Sequence, residues 1–147
     1  MKTTKLVWTA RVFIAIVLFI NLLCAVEFIL KPSEYMGSYE LSGEVGRVVM
    51  IGYGILFLMW QVPYFFALAN PVKHKISLFQ ANLMQAVGLI GETLLLRTIP
   101  AEFAILRGSV TRFIIFDAVG LVFLIVAAIL IGLGKSQLHR SDLKPEI

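Results

Sequence analysis

Long apolar stretches separated by short polar ones dominate the chain. They fall at residues 6–30, 48–69, 76–96 and 113–133. Each holds about 20 residues or more, enough for a helix to cross a hydrocarbon core roughly 30 Å thick. Four such runs predict an all-α fold, an integral membrane four-helix up-down-up-down bundle over residues 1–135, followed by a polar cytoplasmic tail at 136–147. Lys2 and Lys5 ahead of the first run give it the look of a secretory signal. The run is too long for a signal core, no small-x-small cleavage site follows, and Leu23 stands where a lipoprotein signal wants a small residue before its cysteine. It is therefore expected to stay in the protein as a span.

The polar segments between the runs differ in character. Asn70-Pro71-Val72-Lys73-His74-Lys75 is short, so the second and third helices should be antiparallel neighbours, with Pro71 helping to end the second. The segment from Lys31 to Gly46, rich in Ser, Gly, Tyr and Glu, reads as an irregular solvated loop. Pro100 is placed to start a short surface helix with Phe103, Ile105 and Leu106 against the membrane and Glu102 and Arg107 toward water.

Charge gives the orientation. Lys2, Lys5, Arg11, Lys73, Lys75, Lys135, Arg140 and Lys144 make eight basic residues on one side. Lys31, Arg47, Arg97, Arg107 and Arg112 make five on the other, offset by Glu34, Glu40, Glu44 and Glu102. Positive loops stay inside, so both termini are expected in the cytoplasm. A hydrophobic fraction of 59% with 15% charged residues exceeds what a soluble fold of this size hides, and the net charge of +4 lies at the edges of apolar runs rather than in a nucleic-acid-binding patch. The single cysteine, Cys24, permits no intramolecular disulfide and no Cys-x-x-Cys chemistry.

Polar side chains inside spans are costly, and those present form two tiers. Asn21, Gln61, Asn82 and Gln85 lie near the middle, where their amides are expected to bridge helices. Pro63 should kink the second helix, leaving the Met59 carbonyl without its usual partner. Trp60, Gln61 and Tyr64 beside that kink, with Asn21, Asn82 and Gln85, make a candidate mid-membrane pocket suited to hydrogen bonding or to a quinone head. Glu27, Glu92 and Asp117 each sit about one turn inside the outer end of a span. With Arg97 and Arg112 they form a second candidate, read either as an ion-pair girdle, with Arg112 beside Asp117, or as a polar pocket for a cation or a head group. Gly52, Gly54, Gly88, Gly91 and Gly120 read as close-approach positions for packed helices.

His74 in the hairpin and His139 in the tail are poorly placed to ligate a buried haem or a metal, and no Gly-rich phosphate loop, His-Glu-x-x-His motif or nucleophile elbow is present. No catalytic residue, metal site or obligate cofactor is expected.

Gly46 leading into Gly52-Tyr53-Gly54-Ile55-Leu56, the basic turn Asn70-Pro71-Val72-Lys73-His74 and the order of spans resemble the DoxX-like group of small four-helix bacterial membrane proteins. That resemblance implies a bacterial inner (plasma) membrane and, through a quinone-linked sulfur-oxidising enzyme associated with founding members, a link to redox complexes. It brings no catalytic motif. The functional expectation is an accessory or scaffold-like protein that binds membrane lipids, another membrane subunit or a second copy of itself. The alternatives are a quinone-binding subunit of a redox complex and a small transporter using the outer carboxylates.

Overall fold

The computed structural model describes residues 2–142, with side chains for 4–134. The side chains of Lys2, Lys135, His139, Arg140 and Lys144 lie outside the described residues. The described chain is helical throughout: α1 (Lys2–Leu30), α2 (Pro32–Tyr35), a 3-10 turn (Met36–Tyr39), α3 (Gly43–Trp60), α4 (Val62–Ala69), α5 (Lys75–Thr98) and α6 (Ala104–Asp142). Three helical stretches are long and apolar enough to cross a membrane: Thr4–Leu30, Gly43–Ala69 and Ala104–Gly134. The run expected at 76–96 does form a helix, and its 24 residues suffice for a crossing. Gln80, Asn82, Gln85 and Glu92 lower its hydropathy and set it apart from the other three.

α1 packs on α3 and α6, and α5 packs on α4 and α6. The contacts run in opposite chain directions. Phe13 meets Phe123 at 5.3 Å and Phe28 meets Phe113 at 6.2 Å, making α1 and α6 antiparallel. Asn82 reaches Leu124 while Gln85 reaches Asp117, which does the same for α5 and α6. The interior is layered. One end holds small aliphatic residues around Ala10, Ile14, Ala67, Ala81, Leu124 and Ala127. The other holds an aromatic cluster in which Phe28 contacts Tyr35, Tyr39, Phe57 and Phe113. Polarity is inverted relative to a water-soluble fold: Gln61, Gln85 and Asn21 are 1%, 4% and 5% exposed, whereas Phe19 and Phe79 are 65% and 66% exposed.

The second apolar run breaks at Gln61, two residues before Pro63. The Gln61 backbone N–H turns to Leu58 O at 3.1 Å, a tighter pattern than the α-helix. The Phe57 carbonyl that loses this donor is taken by the Gln61 side chain, whose Nε2 donates to it at 2.7 Å. The neighbouring glutamine thus takes the Phe57 carbonyl at the break, and not the Met59 carbonyl that Pro63 deprives of its donor. At the hairpin, Asn70 Oδ1 accepts from the Lys73 backbone N–H at 2.9 Å, which fixes the turn around buried Pro71.

Both longer connections depart from the sequence expectation. Lys31 to Gly46 is not an irregular loop. It carries α2 and the 3-10 turn, buries Pro32, and is tied down by Ser109 Oγ donating to Ser38 O at 2.5 Å. Its aromatic residues find a partner surface on Phe28, which composition alone does not reveal. Pro100 starts no separate helix. A turn ends at Phe103, and Ala104 already belongs to α6. Arg107 is half-buried and acts as a cap: its Nη1 donates to Leu96 O at 3.0 Å and to Ile99 O at 2.6 Å at the end of α5. Arg107→Ala should therefore lower the unfolding midpoint by an amount equivalent to about 1–2 kcal/mol. Arg107→Lys should restore only part of it, because one ammonium matches two carbonyls less well. Thermal unfolding in detergent reads both. At the other end, α6 continues to Asp142, so the expected tail from residue 136 begins as helix. Residues 143–147 lie outside the described residues.

Candidate functional site

A cavity of about 320 Å³ lies where α3 and α4 face α5. Its existence follows from the packing partners: α3 leans on α1, and α5 leans on α4 and α6, so the space between α3 and α5 above the break at Gln61 is left unfilled. α3 and α4 supply Tyr53, Leu56, Phe57, Trp60, Gln61 and Tyr64. α5 supplies Met84, Gln85, Val87, Gly88, Gly91, Glu92 and Leu95, while α1 gives Asn21 and α6 gives Asp117. Gln85, Gly88, Glu92 and Leu95 recur at three- and four-residue spacing, one face of a helix. The rim residues Leu56, Trp60, Val87 and Leu95 are exposed on the apolar outer surface, so the cavity opens sideways.

A chain of hydrogen bonds runs along its inner wall. The Tyr64 hydroxyl donates to Gln85 Oε1 at 2.6 Å and lies 3.3 Å from Ala81 O. Gln85 Nε2 donates to Asp117 Oδ1 at 2.8 Å. Two glycines seat this relay. A Cβ at Gly120 would stand 2.7 Å from Gln85 Nε2, and a Cβ at Gly88 would collide with Asp117 Oδ2. Two lining residues retain unpartnered acceptors: Gln61 Oε1 and Glu92 Oε2 are buried without a hydrogen bond. Orphaned buried oxygens are costly unless something fills the space beside them.

The two candidate groups drawn from sequence are thus partly one. Asn21, Trp60, Gln61, Tyr64 and Gln85 of the middle tier join Glu92 and Asp117 of the outer tier around a single cavity. Four residues do not join. Asn82 donates to Leu78 O at 2.9 Å and lines a separate groove between α5 and α6. Glu27 accepts from the Tyr35 hydroxyl. That bond, with burial adding to it, pushes the Tyr35 phenol up to about 12, so it remains a donor. Arg112 Nη2 donates to Ser109 Oγ at 2.8 Å, and Arg97 is exposed. The girdle therefore fails at Asp117: its partner is Gln85 rather than Arg112. Five residues on a helix turn the side chain about 140° around the axis, so Arg112 and Asp117 point to different faces, as do Glu92 and Arg97. Glu27, six residues beyond Asn21, is displaced by about 120° for the same reason. Among the described residues the one ion pair is Arg47 with Glu44 at 2.5 Å, on the surface.

Sequence reasoning missed Tyr53, Leu56, Phe57, Met84, Val87 and Leu95 as cavity walls. Helical spacing from Trp60 and Gln85 would have found Tyr53, Leu56, Phe57 and Leu95, each a sum of three- and four-residue steps away, but not Met84 and Val87, which lie one and two residues from Gln85. Among the described residues no three of His, Cys, Asp and Glu assemble as metal ligands. No family model, curated protein or solved structure matches the chain.

Proposed function

We propose that this is an accessory membrane protein that holds one amphipathic, membrane-dissolved molecule in the cavity between α3 and α5. The observation carrying this reading is the lateral opening of a polar-floored, aromatic-walled cavity onto an apolar surface. A ligand reaching it from the bilayer would slide its chain past Leu56, Val87 and Leu95 and place its polar end at the inner wall. In this reading α1, α3 with α4, α5 and α6 form a four-helix up-down-up-down bundle in a bacterial inner membrane, with both termini cytoplasmic. The inverted polarity and the Lys and Arg asymmetry support that placement. α5 is the least apolar of the four and the one whose polar face borders the cavity, which suits a helix shielded from lipid on that side. Association with another membrane subunit or with a second copy would be compatible with the remaining apolar surface.

A second reading has one observation in its favour. Trp60, Gln61 and Tyr64 do share the cavity, as a quinone-binding subunit of a redox complex would require, and the resemblance to the DoxX-like group points the same way. Quinone carbonyls need donors, and the Trp60 indole and the Asn21 amide could supply them, but the buried lining atoms that lack a partner, Gln61 Oε1 and Glu92 Oε2, are acceptors.

Gly91 lines the cavity, and a Cβ there would meet nothing within 4 Å. Gly91→Phe should therefore fill the space without disturbing the fold. Native mass spectrometry after gentle detergent extraction is expected to find a one-to-one lipophilic adduct on the natural chain and to lose it in Gly91→Phe at unchanged thermal stability. An adduct held equally by both proteins would place binding elsewhere.

A further inference from the structure

The chemistry of the cavity narrows the ligand, provided that the cavity is a binding site as proposed above. We infer that the polar end of the ligand is a cation carrying N–H donors, an alkylammonium head, held by Gln61, Glu92 and Asp117 and facing the rings of Trp60 and Tyr53.

Four observations lead there. First, the buried atoms of the lining that lack a partner are acceptors: Gln61 Oε1 and Glu92 Oε2 have no donor, and Gln61 as a whole is 1% exposed. Second, three of the donors on the lining are spent, while the Trp60 indole N–H, the Tyr53 hydroxyl and the Asn21 amide make no hydrogen bond within the described residues. Tyr64 OH is committed to Gln85, Gln85 Nε2 to Asp117, and Gln61 Nε2 to Phe57 O. Third, two carboxyl groups line the cavity, and no Lys, Arg or His does. That excludes a fatty acid or an anionic lipid head, which would meet acceptors and negative charge. Fourth, the walls are aromatic, and an ammonium near the face of Trp or Tyr gains attraction from the ring, more so where water is excluded.

The vertical arrangement also suits a head of this kind. Tyr64 pairs with Gln85, so Gln61 sits about one turn of α4 and α3 away from that level. Asp117 lies against Gly88, and Glu92 is about one further turn along α5. An –NH₃⁺ group has three donors, and acceptors come from both walls: Gln61 Oε1 from the α3–α4 side, and Glu92 Oε2 and Asp117 Oδ2 from α5 and α6. Asp117 reaches this position because Gly88 lacks a side chain. The alkyl chain would leave by the lateral opening. A bare divalent cation is less well served, since the walls between the acceptors are aromatic and apolar where such an ion demands six or more oxygens.

The test uses the full chain in zwitterionic lipid nanodiscs, with Trp8→Phe so that Trp60 is the only tryptophan. Four probes of equal chain length are titrated: decylamine, decanol, decanoate and a decyl-substituted benzoquinone. Saturable change in Trp60 emission is expected with decylamine, at an affinity at least tenfold above that for decanol, and none with decanoate. Glu92→Gln and Asp117→Asn are each expected to weaken decylamine at least tenfold while leaving decanol within threefold, because a charged acceptor is lost and a neutral one remains. Gly88→Ala, which keeps both carboxyls but displaces Asp117, should weaken decylamine as well. If one carboxyl variant fails to fold, the other and Gly88→Ala still decide. Equal affinity for decylamine and decanol, or tighter binding of the benzoquinone, would overturn the ammonium head and leave the cavity reading intact. No saturable response to any of the four would overturn the cavity reading itself.

Discussion

Gly54→Ala is expected to lower stability by about 1–3 kcal/mol, the cost of forcing a methyl group into a packed interior. The added Cβ would lie 2.6 Å from Ile29 Cγ1, 2.8 Å from the Ala25 carbonyl oxygen and 3.1 Å from the Ile29 backbone nitrogen. Two of those three atoms belong to the α1 backbone, and a helix backbone cannot rotate aside as the tip of a side chain can. α1 and α3 would have to separate, weakening the Phe28–Phe57 contact at 6.0 Å. Gly52→Ala is the paired measurement, because nothing stands within 4 Å of a Cβ at that position. It should be neutral, or slightly stabilising through helix propensity. Unfolding midpoints of the two variants in the same detergent give the answer. Similar midpoints would mean that α1 and α3 adjust freely and that their close approach is not a constraint.

The contrast between these glycines shows what the sequence held. Gly52, Gly54, Gly88, Gly91 and Gly120 look alike in an apolar run, and small residues in membrane helices read naturally as packing positions. Only Gly54 has that role against a neighbouring backbone. Gly88 and Gly120 instead make room for Asp117 and Gln85, and Gly52 and Gly91 meet nothing. Composition and run length were enough to mark the helices, because apolar periodicity and length are local properties. The break near Pro63 was legible for the same reason. Its position at Gln61 was not, since it depends on a side-chain amide taking the Phe57 carbonyl. The site was half legible. Polar residues in apolar runs identified Asn21, Gln61, Gln85, Glu92 and Asp117, but depth alone put Glu27 and Arg112 with them, and only azimuth around the helix separates the two sets. The Lys31–Gly46 segment misled because its order comes from Phe28 and Ser109, remote in sequence.

Gln85→Leu is expected to destabilise the fold by about 1–3 kcal/mol, more than the roughly 0.6 kcal/mol that an average interhelical hydrogen bond supplies in a membrane. The difference arises because Gln85 is a relay and not a single bridge. Its Oε1 accepts from Tyr64 and its Nε2 donates to Asp117, joining α4, α5 and α6 through one side chain that is 4% exposed. Leucine fills most of the volume but satisfies neither neighbour. The Tyr64 hydroxyl would keep only Ala81 O, 3.3 Å away and already the weaker of its two contacts. Asp117 would lose its one hydrogen-bond donor among the described residues. The two losses need not be equal, and a double-mutant cycle separates them. Tyr64→Phe removes one link and Asp117→Asn alters the other, each measured alone and with Gln85→Leu. Strong coupling is expected in the Tyr64 cycle, where a neutral hydroxyl at 2.6 Å has nowhere comparable to turn. If Gln85→Leu costs no more than an average bridge and both cycles show no coupling, the relay carries no energy, and the glycines at 88 and 120 are clearing space for side chains that the fold does not need.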